Sequence, residues 1–448
     1  MEKKEGVGLT KVQAIAIVVV VVVIVAGVAA YFLTLPPPGP AAPEYIKIGW
    51  PAPITGGIAA FAETTPWMVE QVEKYVNNVM GGVYLAEYGK KVPIKIILRD
   101  IKSDSDAAAS VAAELITREN VDLMLALYSP AMTNPISAQC ERYGVPCIVS
   151  QTIIVSWLMG GPYTWSYCIG LAEPDYAVLF FDLFDTIKDK TNKVVALINS
   201  DDPDGRATAA AWKAQAEKRG YTIVDLGLIP YGTKDFSTYV EACKKAGADI
   251  LTGNMIPTDF ASFWRQCNEM SYKPKLVAMA RSLLFPSWVA ALGGDLGNGL
   301  VGYIWWTPYH PYESSLTGQT PQDLCQAWET YSGKQWTPVL GMTHAVLEVA
   351  VKAIEKAGSL DKAKIRDALA NIDLNTIVGR VNFKAPLTSS QQARYQAFEN
   401  MIKYKDHYVV VPPVAIQWVK VGERWDPVII YNWESPDIPV TGKLFLLN

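Results

Sequence analysis

The residues best suited to chemistry in this chain form short polar clusters, each placed where an apolar run ends. Ser129 and Thr133 follow the run that closes at Leu127, and Ser150, Gln151 and Thr152 follow the run 145–149. Further along, Asn199, Ser200, Asp201, Asp202 and Asp204 crowd a third exit, Asn254 stands at a fourth and Arg281 at a fifth. Hydroxyls, amides, carboxylates and a guanidinium so placed hold a polar solute by hydrogen bonds and charge. They do not compose a reaction centre. His310, His344 and His407 are the only histidines and carry no metal-enzyme spacing, and no nucleophile-elbow motif selects a serine. The glycine-rich piece 293–297 lacks the Lys and Ser/Thr of a phosphate loop. The acidic stretch 199–205 lacks the longer ligand ladder and terminal Glu of a calcium loop. The expectation is binding without turnover, with no catalytic residue, metal or cofactor.

Each cluster also has a plainer reading. Ser129 fits a helix cap whose first turn begins at Pro130, or the start of a recognition loop reaching to a helix that begins at Pro135. The second choice keeps Pro135 out of the helix interior. In either case hydroxyls and free N–H groups converge where a carboxylate or another acceptor could sit. Gln151 could narrow a cleft or read a polar substituent; the alternative for 150–152 is a surface turn. Asp204 suits a cationic or hydroxyl-rich solute, against a reading in which Asp202 caps a helix starting at Pro203 and Asp204 merely stabilises its first turn. Trp305 and Trp306, with Tyr309 beyond, could stack on a flat or apolar group, or simply pack a lobe.

The elements that must position these residues alternate in type. Strand patterns at 45–50, 92–99, 121–127 and 145–149 are interleaved with helical patterns at 66–78 and 107–119 and a helix ending near 143. The series restarts with strands at 193–199, 222–226, 250–253 and 275–279 and helices at 207–219, 236–246 and 260–270. Such repetition predicts an α/β fold of two Rossmann-like lobes with parallel-sheet cores and a crevice at the carboxyl ends of their strands. Helical stretches at 343–356 and 360–370 and strand runs at 378–383 and 409–420 follow. With 448 residues the chain is long enough for two hydrophobic cores.

Ahead of the lobes lies a run, 12–35, with no charged residue and mostly Val, Ile, Ala and Leu. As a helix it would be roughly 36 Å long, enough for a hydrocarbon core of about 30 Å. It is longer than the usual apolar core of a secretory signal, so a retained signal-anchor is expected, with cleavage near Ala29–Ala30 as the alternative. Residues 1–11 would be cytoplasmic, and the proline-rich 36–44 a stiff tether to extracytoplasmic lobes. Lys and Arg number 40 against 44 Asp and Glu. No basic block occurs in the soluble part, which gives nucleic-acid binding no electrostatic support. Cys140, Cys147, Cys168, Cys243, Cys267 and Cys325 leave disulfides and buried thiols both open.

Several motifs in order resemble the periplasmic type I solute-binding proteins of ABC importers, in particular the branched-chain amino-acid and amide-binding group. They are the strand and loop 46–56 with Pro51 and Thr55-Gly56, Asp100 with Ser103-Asp104, the 129–133 and 150–152 clusters, and Asp204-Gly205 after 194–198. The junction 232–236 and the segment 378–383 continue the match, which spans roughly residues 45–432. The resemblance implies solute capture by lobe closure, delivery to an ABC permease and a hinge of three crossings. It divides the chain into a first lobe at 45–171 and 303–378, a second lobe at 172–302 and 379–434, and a tail at 435–448. Two departures bear on the ligand. Asp204 stands where many relatives carry an aromatic residue, and Arg281 falls where an acidic residue often reads a ligand ammonium. A carboxylate-containing or aromatic solute is therefore as well suited as a free amino acid. A membrane-anchored sensor, or a cell-surface structural protein assembling laterally through 442–447, remains as the alternative role.

Overall fold

The five apolar residues Leu123–Leu127 bury every side chain, as a parallel strand covered by helices on both faces must. Ser166–Leu171 and Ile250–Asn254 do the same. The computed structural model describes residues 10–34 and 41–447; most of the expected cytoplasmic segment 1–11 and of the tether 36–44 lies outside the described residues. Two units emerge. One contains the helix Lys11–Thr34, whose first 18 residues have a mean hydropathy of 2.7 and which is long and apolar enough to cross a membrane. The other, Glu44–Asn448, holds two large sheets and two small two-stranded ones.

The first sheet has six strands in the order Tyr408–Val410, Ser166–Leu171, Cys147–Ile153, Leu123–Leu127, Ile46–Ala52 and Ile94–Asp100, all paired in parallel. The second has seven: Arg424–Tyr431, Val414–Val421, Val301–Ile304, Leu276–Met279, Ile250–Asn254, Val194–Ser200 and Thr222–Ile229. Its first two strands run antiparallel at one edge, and the others are parallel. The chain passes between the sheets after Leu171, after Ile304 and between Val410 and Val414.

The third passage corrects the expected division at 378/379. Tyr395, Met401 and Tyr408 share a buried cluster with Leu115, Val149 and Trp157 of the first lobe, and Tyr408–Val410 extends the first sheet beside Ser166–Leu171. The run 409–420, which reads as one strand, is two. Pro412 and Pro413 supply no N–H to a ladder, so the apolar pattern is cut there and its halves join different sheets. The second passage also falls later than 302/303, because Val301–Ile304 pairs within the second sheet.

Beyond 434 the chain docks onto its own second lobe. The buried Gln417 amide donates to the carbonyls of Gly299 and Phe445, both at 2.8 Å, and accepts from Phe445 N at 3.1 Å. Leu447 N donates to Lys275 O at 2.8 Å. All six cysteines are buried free thiols.

The first turn of the helix Glu173–Asp185, just past the first passage, grips the first lobe at two points. Glu173 accepts from Val155 N (3.1 Å), Ser156 N (3.2 Å) and Ser156 Oγ (2.9 Å). Asp175 accepts from Arg394 Nε at 2.9 Å and Tyr395 OH at 2.6 Å. Burial drives the Glu173 pKa from 4.5 up to about 8. The folded chain therefore holds that proton more tightly than the unfolded one. The stability it lends is complete below pH 4.5 and is lost as pH rises through about 8. Glu173→Gln should accordingly become more stable relative to the parent between about pH 5 and about pH 9, by urea unfolding at each pH. Parallel profiles for the two proteins would contradict this.

Candidate functional site

Strand exits from both lobes meet in one interlobe wall. In the first lobe the strand Leu123–Leu127 runs through Tyr128 into the helix Pro130–Tyr143. Ser129 is the N-cap in extended conformation, yet its hydroxyl makes no capping bond. Its carbonyl takes the N–H groups of Met132 and Thr133, both at 2.8 Å, and the Thr133 hydroxyl at 3.1 Å. The helix thus starts at Pro130 and carries Pro135 inside it. The recognition loop 129–133 expected from a start at Pro135 is instead a first helical turn, because Ser129 O anchors it.

The neighbouring cluster is not a loop either. Ser150, Gln151 and Thr152 lie within the strand Cys147–Ile153, whose pairing becomes irregular between Ser150 and Ile153. Ser150 Oγ reaches Ala126 O at 3.4 Å, and the hydroxyls of Thr133 and Thr152 are 3.2 Å apart. Gln151 adopts a positive φ of 52° and donates through Nε2 to Thr343 Oγ1 at 3.1 Å, while its buried Oε1 has no partner. These hydroxyls are largely spent inside the lobe. Ser129 keeps the free one.

In the second lobe the helix Pro203–Arg219 follows Val194–Ser200, and Asp202 caps it by accepting from Gly205 N at 2.6 Å. Position 205 must be glycine, since a Cβ there would lie 2.0 Å from Ser200 O. This close approach brings Asp202 and Asp204 beside Arg281, which starts the short turn Arg281–Leu283 after the strand Leu276–Met279. Arg281 pairs with Asp202, and with Asp204 at 3.3 Å; Asp202 also accepts from Tyr231 OH. Arg281 and Asp204 are only 7% and 5% exposed. Burial lifts the Asp204 pKa to about 6 against the pull of Arg281. Burial also opposes the Arg281 charge, but Tyr128, Asp204 and Asp202 more than offset it, so its pKa rises. The charge of Asp204 is therefore met within the protein. Asn254 donates through Nδ2 to Thr208 Oγ1 at 3.0 Å and through its backbone N–H to Asn199 Oδ1 at 2.9 Å.

Tyr128 joins the two sides, its buried hydroxyl lying in the field of the Arg281 charge. Its ring stacks on Phe61 at 3.4 Å between centroids, and Phe61 meets Phe285 edge-on at 5.0 Å and Trp288 at 5.7 Å across the cleft. Phe61, Phe285 and Trp288 were missed from sequence. They sit in short irregular pieces, where no periodicity distinguishes a cleft aromatic from a core one. Trp306 does not join the wall. Its indole N–H donates to Ile377 O at 2.9 Å, and its ring fills the space that a Cβ on Gly341 would need. Trp305 is buried, with an unpartnered indole N–H. Asp100 fastens the preceding loop rather than a solute, accepting from Thr55 N (3.1 Å), Thr55 Oγ1 (2.6 Å) and Lys102 N (2.8 Å).

Two α/β lobes with facing strand exits and a non-catalytic polar wall define a solute-binding architecture. A family profile described as periplasmic binding protein matches residues 45–397, and the chain belongs to that family. Membership makes it a binding protein rather than an enzyme. It is 24% identical over 342 residues to the Leu/Ile/Val-binding protein homolog 7 of Brucella suis, covering 73% of this chain and 82% of that one. A branched-chain amino acid transporter substrate-binding protein of Streptococcus pneumoniae, solved in complex with isoleucine, superposes with a TM-score of 0.67 at 16% identity, over 86% and 99% of the two chains. An ABC-transporter solute-binding protein of Rhodopseudomonas palustris, in complex with 3,4-dihydroxybenzoic acid, gives 0.66 at 17%, over 87% and 97%.

The ion-pair wall makes a direct stability prediction. Arg281→Met leaves Asp202 and Asp204 buried without their counter-charge and should cost about 3–5 kcal/mol. Asp204→Asn should cost much less, because Asp202 retains Arg281. The double variant Arg281→Met/Asp204→Asn should fall short of the summed losses, as coupled neighbours do. Chemical denaturation of the three proteins measures each term, and strict additivity would contradict the pairing.

Proposed function

We propose that this protein captures a small carboxylate with a flat or apolar body outside the cytoplasm and delivers it to an ABC importer, held at the membrane by the helix Lys11–Thr34. The observation that carries the reading is the composition of the interlobe wall. Both carboxylates of the second lobe's wall are paired with Arg281, so a ligand ammonium would meet only Asp204 Oδ1, the oxygen left without a donor, with the guanidinium charge beside it. The rings of Phe61, Tyr128, Phe285 and Trp288 pack on one another beside it and would become flat apolar surface as the lobes part. On the first lobe the Ser129 hydroxyl, free of capping duty at a helix N-terminus, suits an anionic acceptor. Thr133, Ser150 and Thr152 set the position of that turn, and Gln151 and Asn254 contribute their unpartnered amide oxygens to polar groups elsewhere on the solute. The two solved relatives hold isoleucine and 3,4-dihydroxybenzoic acid. Both ligands carry a carboxylate, and only the second is flat and lacks an ammonium.

Mass spectrometry of small molecules released from natively purified protein identifies the solute class, and calorimetry with 3,4-dihydroxybenzoate and isoleucine ranks the two chemistries. The aromatic acid should bind more tightly. Ser129→Ala should weaken it by about 1–3 kcal/mol with little change in folding stability. Tight binding of isoleucine alone, or no effect at Ser129, would overturn this assignment.

Retention of the helix has its own check. Peptide mapping of protein from native membranes should recover residues preceding Val12 joined to the rest of the chain. A uniform new terminus between Ala29 and Glu44 would remove the anchor.

A further inference from the structure

We infer that the first lobe holds a second small-molecule site, separate from the interlobe cleft, in the hollow between the helices Thr65–Lys74 and Pro321–Ser332, and that it takes a neutral aromatic compound bearing a hydrogen-bond acceptor. The hollow measures 220 Å³. An engineered cavity of about 150 Å³ admits benzene, so a substituted single ring fits here. Trp67, Met68, Val72 and Leu324 supply apolar walls, and Gln71, Thr317 and Gln319 give the lining its polar groups. None of the residues of the interlobe wall lines it.

Charge excludes an ion. The lining contains no Asp, Glu, Lys or Arg, and its one titratable base, His344, is held neutral because burial lowers its pKa to about 4. An anion or cation entering would lose its hydration with no counter-charge to replace it.

The hydrogen bonds around His344 leave one donor in need of an acceptor. Ser314 Oγ accepts from Leu316 N at 3.2 Å and Thr317 N at 3.0 Å, which uses both its lone pairs. Its single proton can go to His344 Nε2 at 2.8 Å or to Glu348 Oε1 at 3.0 Å. Glu348 Oε1 already receives the Ser315 hydroxyl at 3.2 Å, and its other oxygen receives Ile377 N at 3.0 Å. With both its lone pairs used, Ser314 Oγ cannot accept from Nε2, so at 2.8 Å its proton points to His344 Nε2 and the imidazole carries its own proton on Nδ1. Among the described residues the one partner of Nδ1 is the thioether of Met68 at 3.4 Å, a weak acceptor. A buried N–H of a residue that lines the hollow thus lacks a strong partner, and a hydroxyl or carbonyl oxygen on a bound ring would provide one.

A way in exists. A second hollow of 480 Å³ shares Trp67, Gln71 and Ala327 with the first and is bordered by Tyr331, which is 63% exposed. The Trp67 and Tyr331 rings stand 5.9 Å apart, so an incoming ring meets aromatic surface along this route.

The test uses the full-length protein in detergent, with 4-fluorophenol and 4-fluorobenzoate as probes followed by fluorine NMR. The phenol should bind saturably with one site sensitive to Ala327→Phe, which places a ring in the shared wall from a partly exposed helix position. That variant should keep the parent melting temperature and lose at least tenfold in phenol affinity. Any binding of the benzoate should be indifferent to it. Absence of saturable phenol binding, or phenol binding of equal strength in the Ala327→Phe protein, would overturn the inference. So would benzoate binding that the variant abolishes, because it would show that the hollow accepts an anion.

Discussion

The pairing of Arg281 with Asp202 and Asp204 organises the interlobe wall, because it ties together exits that belong to different strands. Asp202 and Asp204 follow Val194–Ser200, Arg281 follows Leu276–Met279, and Tyr128, in the field of the Arg281 charge, follows Leu123–Leu127 in the other lobe. A buried guanidinium is tolerated only with its charge met. The constraint therefore runs backward into the backbone. The helix Pro203–Arg219 must lie close enough to Ser200 for Asp202 to serve both as its cap and as Arg281's partner, and that approach leaves no room for a side chain at Gly205. The Asp204 oxygen that remains without a donor, together with Arg281 Nε, keeps unspent polar capacity in the wall.

The same logic of buried charge recurs at the hinge. Glu173 and Asp175 stand in one helical turn and are satisfied by groups from the other lobe: main-chain and hydroxyl donors for Glu173, Arg394 and Tyr395 for Asp175. Arg394 also pairs with Glu434, at 2.7 Å, and lies over the Trp433 ring. The segment that corrects the expected lobe boundary, 379–410, thereby delivers one of the two hinge contacts. A solute-binding fold needs its lobes joined firmly at one side and free to recognise a ligand at the other. Here the firm side is made of buried ionisable groups whose protonation burial has shifted.

The first lobe contains a further polar system behind its helices, built on His344, Ser314 and Glu348. Burial lowers the His344 pKa to about 4 and raises that of Glu348 to about 7. Both shifts favour neutral forms, and they leave the adjoining hollow uncharged. His344 follows Thr343, the residue that holds Gln151 of the cleft cluster, so a single turn of the helix Val339–Ala357 serves both places.

Alternation of apolar runs with amphipathic stretches determined the α/β class, the two sheets and the location of polar clusters at strand exits, because burial on both faces of a parallel strand imposes a continuous local pattern. The capping of Pro203–Arg219 by Asp202 was legible for the same reason: a helix N-terminus needs an acceptor within three residues. What sequence could not decide were contacts between residues far apart in the chain. Whether Asp204 faces a solute or Arg281, whether Trp306 lines a cleft or packs on Gly341, and where Phe61 meets Phe285 depend on how separate elements are brought together. Local competition was also settled by distant partners. Pro135 was accommodated inside its helix once Ser129 O anchored the first turn, and the run 409–420 was divided when its two ends found edges on different sheets. Periodicity reports which face of an element is buried; only tertiary structure supplies the neighbour on that face, and the neighbour fixes the charge, the free donors and hence the chemistry of the site.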